Sequence, residues 1–514
     1  MTKNNIRNKC IAALIYGYLA LPFIIFAFGW LRWYLAIIIG GLAIAGFVLC
    51  IRDTVLDFDC IFDKDNILKF AIVLFALGAW VRLSGIGSYC FQNTDHYWRN
   101  SIFTVLSNHE WPVIVPFEDG NRTLVYYIGF WLPSALVSKI AGFDIGWRFQ
   151  ALWAWIGVAL VYTMICVWRK KVEIWPVVVF AFFSGLDYVG SQLVTEQMLP
   201  LFGIDPLEGW VLDMQFINNT SLLFWVFNQA VPAWVCTMLF AIEDTKKNIL
   251  YPMACIMLSS TFPFVGMLMI AIYYCIKGYR YNQGTVVKDF VSTIRPVFSV
   301  QNIIGILPVG VTTLLYLMTN LFAANKTEEL NYALTSCVMP VKGMAVAPVG
   351  TLAAYMFSGR GFGHTVWMLF CLLEFLVYIG LIYDYQKKNP MMYIVVAWML
   401  ICPFIKVGES FDFGARSVIP SQIMLILMVI DTLDKAVRDK KKYVLIGLVS
   451  VMMIGALSPI HEIQHTIVYT TTLDNTNANY IMGVIGEDTL LHGGNFSGPD
   501  DSFFFKHMAK PYEN

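Results

Sequence analysis

Several short stretches of this sequence hold side-chain types used in proton transfer and anion binding. In Asn93-Thr-Asp95-His96-Tyr-Trp-Arg99-Asn100 an acid, an imidazole, two aromatic rings and a guanidinium follow closely on one another. A positioned carboxylate or imidazole can move a proton, and a guanidinium can pair with a carboxylate or a phosphate. The same residues also read as ordinary helix chemistry, with Asp95 as an N-cap and Arg99 at i+4 in a face pair worth roughly 0.3–0.5 kcal/mol. In Asp412-Phe-Gly-Ala-Arg416, Arg416 stands at the start of an apolar run and could simply snorkel. Glu409, Lys406 and Asp412 crowd that short loop, which is more charge than a plain turn needs. The tail stretch Asp501-Ser-Phe-Phe-Phe-Lys506 sets a cation, Lys506, beside aromatic rings.

Asp187, in Ser184-Gly-Leu-Asp187, falls near the end of an apolar segment. An ionisable group at membrane depth is expensive and is usually paired or functional. It could complete an acid set, hold a divalent metal, orient an acceptor, or merely end a helix. Glu208 and Trp210 could hold and stack on a sugar. Asn228-Gln229 beside Pro232 suggests hydrogen bonding across helices. His461-Glu462-Ile-Gln-His465 is a literal H-E-x-x-H, which on a helix sets two imidazoles on one face for zinc with Glu as base. Pro459 lies two residues upstream, and a third ligand would have to return from Glu487 or His492. The cysteines are scattered singly without metal spacing, as small apolar side chains are.

The elements that must position these groups are set by composition. Of 514 residues, 58% are hydrophobic and 14% charged, and the mean hydropathy is +0.63. Soluble chains run at roughly 45–50% apolar and about 25% charged, and single cores stop growing near ~250–300 residues. The surplus apolar surface must face lipid. A cytosolic enzyme, a disulfide scaffold and a disordered chain are excluded. Lys+Arg 35 against Asp+Glu 35 leaves no net charge for a nucleic acid.

Apolar windows of ~20 residues mark spans near Ile11–Trp30, Tyr34–Ile51, Phe70–Ile86, Phe149–Trp168, Ile174–Leu193 and Ser221–Ile242. Others lie near Ile303–Asn320, Thr365–Tyr383, Met391–Ile405, Ser417–Leu433 and Tyr443–Leu457. Basic clusters from Lys3/Arg7/Lys9 to the Lys435–Lys442 stretch orient them by the positive-inside bias. The stretch Asn248–Ile276 has basic flanks on both sides, so it must cross an even number of times, as a broken hairpin near Pro263 would. The expectation is an all-α, polytopic integral membrane protein: residues 1–457 form about 11 spans plus that hairpin, with interfacial helices in an outer loop 87–148. Residues 458–514 form a short outer tail. The N-terminus is inside and the C-terminus outside, in a membrane read as the bacterial cytoplasmic membrane.

Asp95 just after a span, an amphipathic helix, Tyr126-Tyr127 in an interfacial helix closing on Gly142, and Trp147-Arg148 entering a span follow an order that resembles the GT-C superfamily of membrane glycosyltransferases. Protein O-mannosyltransferases and the lipid A aminoarabinose transferases are members. The chain looks closer to bacterial GT-C-like proteins of undefined substrate, through Phe183–Asp187, Asn218–Trp234, Asp412–Pro420 and Asp501–Lys506. Two departures matter: Asp95 has no adjacent second acid, and two spans precede the one leading to it. The resemblance implies a GT-C-like helical bundle that moves a sugar from a polyprenyl-phosphate donor to a lipid, glycan or protein acceptor at the outer face. It implies Asp95 as catalytic base and Arg416 on the donor phosphate, with Arg99 or Lys506 helping. Asp187 and Glu208 would be accessory acids, and His96, Trp210 and Gln229 lining; a divalent metal is possible. A flippase of lipid-linked sugars and a zinc metalloprotease are the alternatives.

Overall fold

The computed structural model describes residues 3–118, 120–194, 207–211, 214–243, 245–279, 285–321, 361–405, 407, 412–475, 482–492 and 496–511. Within them the chain is mainly helical, and eight helices are long and apolar enough to cross a membrane. They are Asn5–Trp30, Trp33–Asp53, Lys64–Leu83, Phe143–Arg169, Trp175–Leu193, Val300–Asn320, Thr365–Gln386 and Lys442–Leu473. At 1.5 Å per residue each can cross a hydrocarbon core of ~30 Å.

Three expected spans are not among the eight. Phe227–Ile242 and Pro390–Ile401 are short, with 16 and 12 residues. Ile419–Arg438 is long enough, but its last eight residues carry Asp431, Asp434, Lys435 and Arg438. It lies at the centre of the molecule, with 15 of its 20 residues buried, Ile419 to Ile430 without a break.

Several apolar segments are interrupted rather than straight. Trp175–Phe182 stops at Phe183 and resumes at Asp187, where Leu186 N–H donates to the Leu373 carbonyl and Tyr378 Oη to the Ser184 carbonyl. Asn219–Trp225 and Phe227–Ile242 are separated by Val226 alone. Leu250–Ile256 and Thr261–Ile276 flank a turn at 257–260. All three breaks are buried. The break in 248–276 precedes Pro263, which sits in the first turn of the second helix, where proline is tolerated.

The basic clusters gather at one end. Lys9 caps the Ile51, Arg52 and Thr54 carbonyls, and Arg7 pairs with Asp59. Lys247 pairs with Asp53, and Lys246 reaches the Cys275 carbonyl at 2.9 Å. Both ends of the 248–276 segment therefore meet at this end. Cys60 donates to the Cys166 carbonyl, and Arg169 pairs with Asp434 at 2.5 Å, bringing in the next helices.

The opposite end holds a feature that a purely helical reading misses. Strands β1 (Ile114–Phe117), β2 (Gly120–Leu124) and β3 (Ser497–Pro499) form an antiparallel sheet in that order, with Ile114 opposite Thr123 and Thr123 opposite Gly498. Beyond β3, Leu31 pairs with Ala509 and Lys510 N–H donates to the Trp30 carbonyl. The tail thus closes over the end of the first helix. Its start differs from expectation: the boundary at 457/458 falls inside a helical run, since Leu457–Asn475 follows Lys442–Gly455 after Ala456 alone. The interfacial helix expected to carry Tyr126-Tyr127 and close on Gly142 begins only at Leu132, with Pro133 in its first turn, and Tyr126-Tyr127 lie in the turn before it.

Candidate functional site

Two acid–guanidinium pairs at i,i+4 spacing lie at the Trp30 end. Helix His96–Asn108 starts immediately after Asp95. Asp95 N–H donates to Asn93 Oδ1, and Asn93 Nδ2 to the Phe224 carbonyl, so the helix start is tied to the Val226 break. Arg99 Nη2 donates to Asp95 Oδ2 at 2.6 Å, and Arg99 Nε to the Trp225 carbonyl at 2.6 Å. Its guanidinium lies 5.8 Å from the Phe227 ring centre. The second pair is on helix Asp412–Ser417, where Arg416 Nη2 stands 2.9 Å from Asp412 Oδ2. In both pairs the guanidinium is shielded and the carboxylate open: side-chain exposure is 6% and 12% for Arg99 and Arg416, against 39% and 42% for Asp95 and Asp412. Arg416 Nε is buried and has no hydrogen-bond partner among the described residues.

Tyr126 and Tyr127 lie between the pairs, their ring centres 4.0 Å apart. Burial pushes both phenols above their usual range; the nearby Arg416 and Arg99 charges pull the other way. Tyr126 also feels Asp412 and Asp95, and Arg416 feels Asp95. Asp95, Arg99, Asp412 and Arg416 therefore share one electrostatic neighbourhood. Aromatic rings wall it. Phe262 lies 5.9 Å from Tyr127 and 5.5 Å from Phe413, and Phe496, just ahead of β3, lies 4.6 Å from Tyr126 and 5.2 Å from Trp98. Tyr316 Oη, donating to the Leu124 carbonyl and accepting from Tyr126 N–H, fixes the backbone beneath.

Other expected site residues lie elsewhere. His96 is buried, with Nε2 3.2 Å from the Ser84 carbonyl. Burial, then the Arg99 charge, push its pKa down to about 3, so it is a neutral structural anchor rather than a lining group. Lys506 is exposed and 3.8 Å from Asp501, and its backbone carbonyl accepts from Arg32. No described contact brings it to Arg416. Both side-chain polar atoms of Asn228 and of Gln229 are buried without a partner among the described residues. The expected bond between helices runs instead from Ser260 Oγ to the Gln229 carbonyl, at 2.6 Å. Lys406 and Glu409 lie outside the described residues, as do the side chains of Glu487 and His492.

Asp187 belongs to a second acidic group. It accepts from Ser184 Oγ at 2.6 Å and Ser458 Oγ at 3.0 Å, and its carboxyl lies within hydrogen-bond reach of Glu374. Glu374 accepts from Trp210 Nε1 at 3.0 Å, so Trp210 serves an acid and is not an open stacking surface. Glu208 accepts from Asn218, through both its backbone N–H and Nδ2. Burial, with Asp187 nearby, raises its pKa well above the usual carboxylate range. Glu374 was missed in the sequence, although an acid inside the apolar run Thr365–Tyr383 is itself a signal.

In the H-E-x-x-H stretch, the His461 and His465 rings are 6.3 Å apart on helix Leu457–Asn475, but Glu462 accepts from Trp225 Nε1 at 2.7 Å. Among the described residues, no group of three His, Cys, Asp or Glu side chains could hold a metal ion. Compared with family models, curated proteins and solved structures, the chain matches none.

Proposed function

We propose that this chain is a multi-pass membrane glycosyltransferase that moves a sugar from a polyprenyl-phosphate donor to an acceptor hydroxyl at the outer face. The observation that supports it is the convergence of Asp95–Arg99 and Asp412–Arg416 on Tyr126 and Tyr127, at the end of the molecule away from the basic clusters. By the positive-inside bias the basic end faces the cytoplasm, and the Asp95 end faces out.

The chemistry fits these groups. An acceptor O–H gives its proton to the open Asp95 carboxylate as its oxygen bonds to the anomeric carbon. The bond from that carbon to the phosphate oxygen breaks, and the electron pair leaves with the lipid phosphate. Charge developing there needs fixed donors in a shielded place; Arg416, with an unpartnered Nε, and Arg99 are such donors. The aromatic walls offer faces for a sugar ring or an isoprenoid tail. Lys506 and His96 drop out of the proposed site.

A flippase is the second reading, favoured by the buried Asp187–Glu374 pair beside an interrupted helix, a pattern typical of transporter sites. Binding of a polyprenyl-phosphate sugar to the purified protein, followed by release of polyprenyl phosphate on adding acceptor, tests the transferase. Binding without release of the phosphate supports the flippase.

A further inference from the structure

A nine-residue helix, Val286–Ile294, lies between Thr261–Ile276 and Val300–Asn320 and takes no part in the proposed transfer. Val286, Val287, Phe290, Val291 and Ile294 recur at the spacing of one helix face, with Lys288, Asp289 and Ser292 opposite. None of its residues is buried: Val287 is 76% exposed and Val291 52%. At about 13 Å it is too short to cross a hydrocarbon core of ~30 Å.

Its place is fixed by the basic end of the molecule. Lys246 Nζ donates to the Cys275 carbonyl at 2.9 Å and the Thr293 carbonyl at 3.0 Å, holding this helix beside the end of Thr261–Ile276. The Tyr279 ring meets Phe290 edge-on at 5.7 Å. Exposed apolar side chains continue along the chain on both sides, at Ile272 and Ile276 before it and Phe298, Val300 and Ile303 after it. Lys277, Lys288 and Arg295 are exposed cations, and the one acid, Asp289, accepts from Thr285 Oγ1 at 2.5 Å. An apolar face that continues onto the sides of Thr261–Ile276 and of the long helix Val300–Asn320, fringed by cations, matches the boundary between headgroups and acyl chains. Cations at that depth are attracted to an anionic leaflet.

We infer that Val286–Ile294 lies in the plane of the cytoplasmic leaflet, its apolar face among the acyl chains, and that Lys277, Lys288 and Arg295 hold anionic phospholipid headgroups. This rests on the membrane orientation above and not on the transfer chemistry. The test uses the full chain in nanodiscs of phosphatidylcholine and phosphatidylglycerol. A photo-crosslinking amino acid at Phe290 should attach to lipid, as should one at Phe75, which is 82% exposed on Lys64–Leu83. Lipid adducts at position 75 but not 290, or adducts from 290 to a second copy of the chain, overturn the inference and leave the membrane reading standing. Adducts at neither position overturn both. In native mass spectra, the Lys277→Gln/Lys288→Gln/Arg295→Gln variant should retain several-fold less phosphatidylglycerol than the parent protein, and equal retention overturns the headgroup assignment.

Discussion

Arg99 donates from Nε to the Trp225 carbonyl at 2.6 Å, while the indole of the same Trp225 donates to Glu462 at 2.7 Å. One residue at a helix break thus holds the guanidinium of the Asp95 site and an acid on the Leu457–Asn475 helix. The break has a direct use. The Trp225 carbonyl accepts from Arg99, which leaves the second nitrogen arm to orient Asp95.

Arg416 is the test of the phosphate grip. A lysine keeps the charge but loses the planar fork that binds two oxygens. Arg416→Lys should weaken donor binding about tenfold or more, and Arg416→Ala more still, on proteins whose melting temperatures are measured alongside. If Arg416 serves only Asp412, the alanine variant will melt lower and bind donor with unchanged affinity.

Gly266 sets the position of the helix that carries Arg416. A Cβ at 266 would lie 1.8 Å from the Ser417 carbonyl oxygen and 2.8 Å from its carbon, both backbone atoms that cannot swing aside. Gly266→Ala should destabilise by the ~1–3 kcal/mol of an overpacked core. It should also weaken donor binding, because Ser417 must move and Arg416 precedes it. Thermal melting and donor titration of the purified variant check both effects, and unchanged donor affinity would separate Gly266 from the site.

His96 makes acid sensitivity predictable. Its folded pKa of about 3 lies below the usual 6.5, so between those values the unfolded chain binds the extra proton. Its contribution to stability is complete above pH ~6.5 and is lost as pH falls, by about 1.4 kcal/mol per unit. Melting temperature measured from pH 7 to pH 5 should fall less steeply for His96→Gln than for the parent protein. Equal slopes would remove His96 as a source of that sensitivity.

The order of helices was readable because apolar windows and basic flanks are local patterns, and the basic clusters do meet at one end through contacts such as Lys246 to the Cys275 carbonyl. The Asp95–Arg99 pair was readable too, since i+4 spacing is local. What the sequence hid was long-range. β3 joins β2 across 375 residues, from Thr123 to Gly498, so no hairpin signal announces it. Glu374 meets Asp187 only because Phe183–Leu186 leaves the helix there, which no proline marks. Lys506 stands among aromatic rings in the sequence, but of these Phe504 packs 6.0 Å from Phe26 of the first helix, and the Lys506 carbonyl is held by Arg32.

The central claim is transfer of a sugar with Asp95 as base, and single-turnover release of polyprenyl phosphate by Asp95→Asn tests it most directly. The amide keeps the shape of the side chain and can still accept a hydrogen bond from Arg99, so the fold and donor binding should persist. Release in the presence of acceptor should fall by roughly 10²–10⁴-fold, the usual worth of a general base. Release at the parent rate from a folded, donor-bound Asn variant would contradict the account and leave Asp95 as no more than the partner of Arg99.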